Sequence, residues 1–342
     1  MTLIADVWFL LIFVLFAIYS ILDGFDLGVG FWYIFVRDSD DKPERRLLLS
    51  SIGPFWDGNE VWLLLAGGVI FIAFRNAYAT LFSGFYLPVI VLGACLIFRA
   101  VAIEFRNEVD SPKWHLIWDI LFILGSVLPI FLFGVVAGNV LRGLPIDATS
   151  NYAGTLFDLL SPFAILVGLL AVAMFVSHAA IFLTVRVKGE LAEKAREWTK
   201  MSLIAYLVLY ILPFVYAFIL EQDVLGNYND NVILFIVPLI GLLAIGGTYF
   251  FWSKKQELFT FATSAISIFV AFLVTAIAIY PNLLRDTTGV NSLTISNSAS
   301  SEMALITYLI VALIGLPIAL IYFIFVYRLH RGKIGLREAA LY

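Results

Sequence analysis

The sequence predicts an all-α integral membrane protein that crosses the bilayer nine times, and three observations carry that prediction. Hydrophobic residues make up 62% of the 342-residue chain and charged residues 13%, a balance that soluble globular domains of this length do not have. Nine stretches reach the ~20 mostly apolar residues that a helix needs to cross ~30 Å of hydrocarbon: 7–36, 48–74, 77–103, 114–140, 161–186, 201–221, 231–252, 258–280 and 303–327. The ten-residue alternation of a membrane barrel is absent. The chain reads as one membrane domain over 1–342, with the lipid bilayer as a partner and no signature for nucleic acid.

Charge orients the bundle. Arg37, Lys42, Arg45 and Arg46 lie between spans 1 and 2; Arg99, Arg106 and Lys113 near the 3–4 junction; Arg186, Lys188, Lys194, Arg196 and Lys200 after span 5. Lys254 and Lys255 follow span 7, and Arg328, Arg331, Lys333 and Arg337 form the tail, leaving Arg75, Arg142 and Arg285 for the other face. The positive-inside rule then puts the N-terminus outside and the C-terminus in the cytoplasm, which an odd number of spans satisfies. Two four-helix groups plus one peripheral helix is the expected arrangement.

Span 1 is flanked by Asp6 rather than a basic run and is too long for a signal segment, so it is expected to be retained. It carries Asp23 and Asp26, and its Gly24, Gly28 and Gly30 supply a small-residue face for close helix packing. Span 2 carries Asp57 and Glu60, bracketed by Trp56, Gly58 and Asn59, with Pro54 just before them. Span 3 holds Cys95 and Arg99 and runs toward Glu104; a single cysteine excludes an intrachain disulfide, and its expected role is packing. Span 4 carries Asp119 near its cytoplasmic end, and span 5 holds Met174 and His178. Glu190, Glu193, Lys194, Arg196 and Glu197 then recur at helical spacing and predict a solvated helical extension. The connections 141–160 and 281–302 have the composition of surface loops, and spans 5–9 contain no buried acid.

An ionisable group at membrane depth costs several kcal/mol unless it faces a partner or a wet cavity, so the four acids of spans 1 and 2 are functional-site candidates. Counted at ~1.5 Å per residue from Arg37, Asp26 lies ~17 Å and Asp23 ~21 Å deep; counted from Leu47, Asp57 lies ~15 Å and Glu60 ~20 Å deep. Two helices thus present acids at one level, each pair on one face through its i, i+3 spacing. Asp57, Glu60, Asp23 and Asp26 are the proton-transfer candidates, with Trp56 and Asn59 in support and Arg99, Glu104 and Asp119 as counter-charges. Arg99 is expected to pair with Asp57 or Glu104. A purely structural reading stays open, in which the acids hydrogen-bond across the Gly24 and Gly28 contact or pair with Arg99.

Haem takes an axial His, Met, Cys or Tyr. His115 and His330 sit at or beyond the cytoplasmic edge, and Met174 shares a helix with His178, so those two cannot clasp a haem from opposite faces. Phosphate loops, nucleophile constellations and metal-ligand spacings are missing too. The chain alone is therefore expected to hold no metal or haem and not to be catalytic.

Asp23-Gly-Phe-Asp26-Leu-Gly28-Val-Gly30, Pro54-Phe-Trp56-Asp57-Gly58-Asn59-Glu60-Val-Trp62, Gly67-Gly68, Ser83-Gly84-Phe85-Tyr86, Phe98-Arg99 and Glu104-Phe105-Arg106 resemble subunit II of cytochrome bd-type quinol oxidases. Some members have His at Phe55, Gln at Glu60 and a longer outer connection between spans 6 and 7. The resemblance implies an obligatory partner, subunit I, which holds two b-type haems and one d-type haem and oxidises quinol, and in some complexes a small single-span third subunit. It implies that the complex reduces dioxygen to water and contributes to the proton-motive force, and that Asp57 lies on a path for cytoplasmic protons. Two other classes compete: a free-standing proton-coupled transporter with Asp57 as coupling acid, and a purely structural assembly subunit. The confinement of the acids to spans 1–4 speaks against a repeat-built transporter.

Overall fold

The computed structural model describes residues 2–39 and 42–336; Arg337 lies outside the described residues, as does the side chain of Lys42. Among the described residues nine helical segments are long and apolar enough to cross a membrane. The protein is an all-α, multi-pass membrane protein, as its composition predicts.

The first span is α1 (Thr2–Trp32), continued by a 3₁₀ turn at Tyr33–Phe35. A two-residue hairpin of β1 (Asp38–Ser39) and β2 (Lys42–Pro43) leads into α2 (Glu44–Ile52). Then follow α3 (Trp56–Ala73), α4 (Arg75–Gly84), α5 (Tyr86–Phe105) and α6 (Pro112–Arg142). Two expected spans are thus broken. The helix predicted over 48–74 stops at Ile52, because Pro54 lacks an N–H and clashes with the preceding turn, and restarts at Trp56. The helix predicted over 77–103 is α4 plus α5, interrupted at Phe85, whose fully buried ring joins the core at that end. The spans that remain are Trp56–Ala73 and Tyr86–Phe105.

The second half contains α7 (Pro162–Arg186), α8 (Glu190–Leu220), α9 (Gly226–Asp230), α10 (Ile236–Ser253) and α11 (Glu257–Ile279). Pro162 opens α7, and the Ser161 hydroxyl caps it by accepting from the Ala164 N–H at 3.2 Å. Beyond α11 come β3 (Asn282–Leu284), β4 (Leu293–Thr294), α12 (Ile295–Ser298) and α13 (Glu302–Leu329). The predicted extension before span 6 is part of α8, but it is not merely solvated. Leu191, Ala195 and Trp198 are buried beneath it, Lys194 pairs with Glu44 at 2.7 Å, and Arg196 lies over the Trp252 ring.

The centre of the bundle is the contact of α1 with α7, in which every residue from Ala173 to Thr184 is buried. Gly28 makes this approach possible: a Cβ there would sit 2.3 Å from the Phe175 carbonyl oxygen. One turn on, Trp32 donates its indole N–H to the Val176 carbonyl at 2.8 Å and stacks on Trp198 at 4.6 Å. The close packing expected of the Gly24 and Gly28 face is therefore made inside this chain, since both glycines face Phe175. At the other extreme, α13 buries only Leu305 and packs lightly on α1 and α3.

The end where α1, α5, α7, α10 and α13 finish carries the basic residues. At the opposite end the two long loops form one folded cap rather than separate surface connections. The Leu144 N–H donates to the Arg285 carbonyl at 2.8 Å, Asn291 donates to the Ile146 carbonyl at 2.9 Å, and the Ser300 hydroxyl donates to the Ile72 carbonyl at 2.6 Å.

Candidate functional site

The polar centre lies where α1, α3 and α5 meet. Asp23 and Asp26, both fully buried, occupy successive turns of α1 but have different partners. Asp23 receives both guanidinium arms of Arg99, at 2.6 and 3.1 Å, in the bidentate geometry that makes the strongest charge-assisted pairs. Arg99 was expected to pair with Asp57 or Glu104. It pairs with Asp23 instead, because Gly125 of α6 lets α5 sink until a Cβ at that glycine would lie 2.9 Å from the Arg99 nitrogen. The residue then points inward to α1 rather than along α5 to the surface.

Asp26 meets no guanidinium. One of its oxygens accepts from the Asn59 side-chain amide at 2.7 Å, and the other, Oδ1, is buried without a hydrogen-bond partner. Asn59, itself buried, also donates to the Leu22 carbonyl at 3.2 Å, while its oxygen accepts from the Tyr327 hydroxyl of α13 at 2.9 Å. Asp26 is thereby tied through one carboxamide to a helix 300 residues further along the chain.

Asp57 is exposed and Glu60 half-buried. Because the helix breaks at Pro54, both start from the first turns of α3, and their depths counted along an unbroken helix from Leu47 do not hold. Beside Asp57 opens a cavity of about 460 Å³ at the basic end, lined by Trp56, Asp57, Asn59 and Glu104, with Phe323 and Tyr327 of α13 as its far wall. Asn59, itself fully buried, forms part of its wall; Asp26 does not line it. Glu60 makes no ion pair or hydrogen bond with the described residues.

Asp119 was grouped with these residues but belongs to a separate cluster at the basic end. It accepts from Arg106 Nε at 2.6 Å, from Arg45 and from the Tyr33 hydroxyl, and Arg106 reaches on to Asp38 at 2.7 Å. This cluster clamps the start of α6 to the end of α5 and to the hairpin between α1 and α2. The sequence reading missed Tyr33, Arg45 and Tyr327. Nothing in the chain's pattern pairs span 9 with span 2, so Tyr327 had no signal to be found by.

His178, the buried histidine of the membrane spans, presents no free nitrogen to a haem iron. Both ring nitrogens of His178 are engaged, Nδ1 with the Ser264 hydroxyl at 2.9 Å and Nε2 with the Ile21 carbonyl at 3.0 Å, and the ring stacks on Phe261. Among the described residues no group of His, Cys, Asp and Glu could hold a metal ion.

These features meet their family in comparison with known proteins. A family model described as cytochrome bd terminal oxidase subunit II matches residues 4–330, and that match makes the chain a membrane subunit of a respiratory oxidoreductase complex. The chain belongs to that family. It is 32% identical to cytochrome bd-I ubiquinol oxidase subunit 2 of Escherichia coli (strain K12), covering 96% of this chain and 94% of that one. It is likewise 32% identical to cytochrome bd ubiquinol oxidase subunit 2 of Bacillus subtilis (strain 168), covering 98% of each. The fold matches a chain in the structure of bd oxidase from Geobacillus thermodenitrificans with a TM-score of 0.80 at 17% identity, over 96% of this chain and 98% of that one.

Proposed function

We propose that this chain is the haem-poor partner of subunit I in a quinol:oxygen oxidoreductase, and that it conducts cytoplasmic protons toward the site of oxygen reduction. Quinol oxidation and the two b-type and one d-type haems belong to subunit I in this reading. Water formation consumes protons, and drawing them from the cytoplasm while quinol releases its own outside contributes to the proton-motive force. The basic end of the bundle faces the cytoplasm by the positive-inside rule, so the cavity at Asp57 and Glu104 opens to the side from which protons come.

One observation carries the reading. A cavity bearing two carboxylates reaches from the basic end to Asn59, directly behind which Asp26 sits buried with an open oxygen. Its volume is many times the ~30 Å³ share of one water, and its polar lining suits water. Asp57 and Glu104 collect protons at the mouth, and Asp26 receives them inside. Asp23 is the fixed counter-ion of Arg99 and takes no part in the transfer. The assembly role rests on the same structure: α3, α5 and α13 present long apolar faces that lipid and subunit I cover.

Asp26→Asn in the intact complex is the test. It keeps the shape of the side chain and an acceptor for Asn59 while removing the exchangeable proton. Haem content should stay at the wild-type level while quinol-driven oxygen consumption falls; full turnover in the haem-loaded variant would refute the path.

A further inference from the structure

The Tyr327–Asn59–Asp26 chain has a chemical peculiarity. A carboxamide has donors and an acceptor but no group that titrates near neutral pH, so Asn59 cannot hand a proton from the cavity to Asp26. It uses both N–H donors, on Asp26 and the Leu22 carbonyl, and its oxygen takes the Tyr327 hydroxyl. A side chain held from three sides, at the wall of a cavity roomy enough for several waters and in front of a buried carboxyl, closes the way as long as those bonds persist. The oxygen of Asp26 that Asn59 leaves open is the atom that an entering water would meet.

Tyr327 is itself firmly placed. Its ring stacks on Phe55 at 4.6 Å, and the Arg186 guanidinium lies 5.3 Å from the Phe55 ring centroid. Arg186 donates to the carbonyls of His330 and Gly332, at 2.5 and 2.6 Å, and so pins the end of α13. Because α13 buries little else, this anchorage fixes where the Tyr327 hydroxyl stands.

Resting on the proton path proposed above, we infer that Tyr327 is a positioning residue: its hydroxyl holds the Asn59 carboxamide across the inner end of the cavity, and water reaches Asp26 only when that hydrogen bond opens. Tyr327 and Asn59 together form a gate, and the anchored end of α13 is its post. Arg99 and Asp23, locked in their own pair, stay fixed while it moves.

Tyr327→Phe tests the gate, since it removes the hydroxyl and keeps the ring on Phe55. The measurement is a single turnover of the intact, fully reduced, haem-loaded complex with dioxygen, with proton uptake followed by a pH-indicator dye and oxygen binding followed by haem absorbance. Loss of one ordinary hydrogen bond shifts an equilibrium by about fivefold, so proton uptake should accelerate by about that factor with oxygen binding unchanged. Asn59→Ser, which removes the carboxamide from the other side, should act the same way and carries the test if Tyr327→Phe assembles poorly. Unchanged or slower proton uptake in these variants, with Asp26→Asn slowed, would overturn the gate and leave the path standing. Wild-type uptake in Asp26→Asn would overturn the path and the gate with it.

Discussion

Arg99→Leu probes how the polar centre holds the bundle together. α5 is docked by one narrow stripe, Cys95, Arg99 and Ala102, and it reaches α1 through the Arg99 guanidinium. Both Arg99 and Asp23 have no exposed surface, and their two contacts measure 2.6 and 3.1 Å. Removing one partner of such a pair leaves a buried charge without compensation and costs about 3–5 kcal/mol, against about 0–1 kcal/mol for an exposed pair. At about 1.4 kcal/mol per tenfold, that is roughly two to three and a half orders of magnitude in the ratio of folded to unfolded protein. Arg99→Lys keeps a charge but not the planar two-armed grip, so its loss should be smaller. Replacing both partners, as in Arg99→Leu with Asp23→Leu, removes the stranded charge and should regain much of the stability. The assay is the yield of haem-loaded complex in mild detergent and the midpoint temperature of haem loss. The expected order is wild type, then Arg99→Lys and the double variant, then Arg99→Leu. Equal behaviour of Arg99→Leu and wild type, or a double variant as poor as Arg99→Leu, would refute the buried-pair account.

Two further outcomes follow from packing and from the cap. Gly28→Ala places a methyl 2.3 Å from a backbone oxygen of α7 and should cost about 1–3 kcal/mol, lowering the yield of intact complex, whereas Gly24→Ala meets only the Phe175 ring at 3.4 Å and should be tolerated. In the cap, burial works against the charged form of Asp286, but donors from Thr288, Asn291 and Ile146 prevail and hold its carboxyl down at about 2. A carboxyl whose folded value lies below its unfolded one stabilises the fold above the unfolded value, about 3.9, and that contribution is lost as pH falls toward 2. The cap should therefore be insensitive to pH from neutrality down to about 4, and Asp286→Asn should open the 281–302 loop to protease at pH 7; equal cleavage of variant and wild type would contradict this.

Apolar length and basic-residue placement made the nine crossings among the described residues legible, because both signals are local to the chain. The breaks at Pro54 and Phe85 were less so: Pro54 was noticed as a neighbour of Asp57, but whether a proline kinks or ends a membrane helix depends on what packs around it. The acids of spans 1 and 2 were found as a group, since charge stands out against an apolar background. Their pairing was legible only in outline: a bond from the span 1 acids to Arg99 stood as the structural alternative, but Arg99–Asp23 and Tyr327–Asn59 join residues 76 and 268 positions apart, and no periodicity encodes such distances. Gly28 shows the same limit from the other side. Its small-residue face announced a close helix contact, but not that the contact lies inside this chain.

The central claim is that cytoplasmic protons enter through the cavity beside Asp57, and Asp57→Asn in the intact complex tests it most directly. In a single turnover of haem-loaded enzyme with dioxygen, oxygen binding should proceed as in wild type, since it needs no proton, while the proton-uptake phase slows. Asp57→Glu, which moves the acid by about 1.5 Å within a wet cavity, should recover part of the rate. A fully assembled Asp57→Asn complex whose proton uptake and turnover match wild type from pH 6 to about 8 would contradict the claim and leave the acids of this chain a structural role alone.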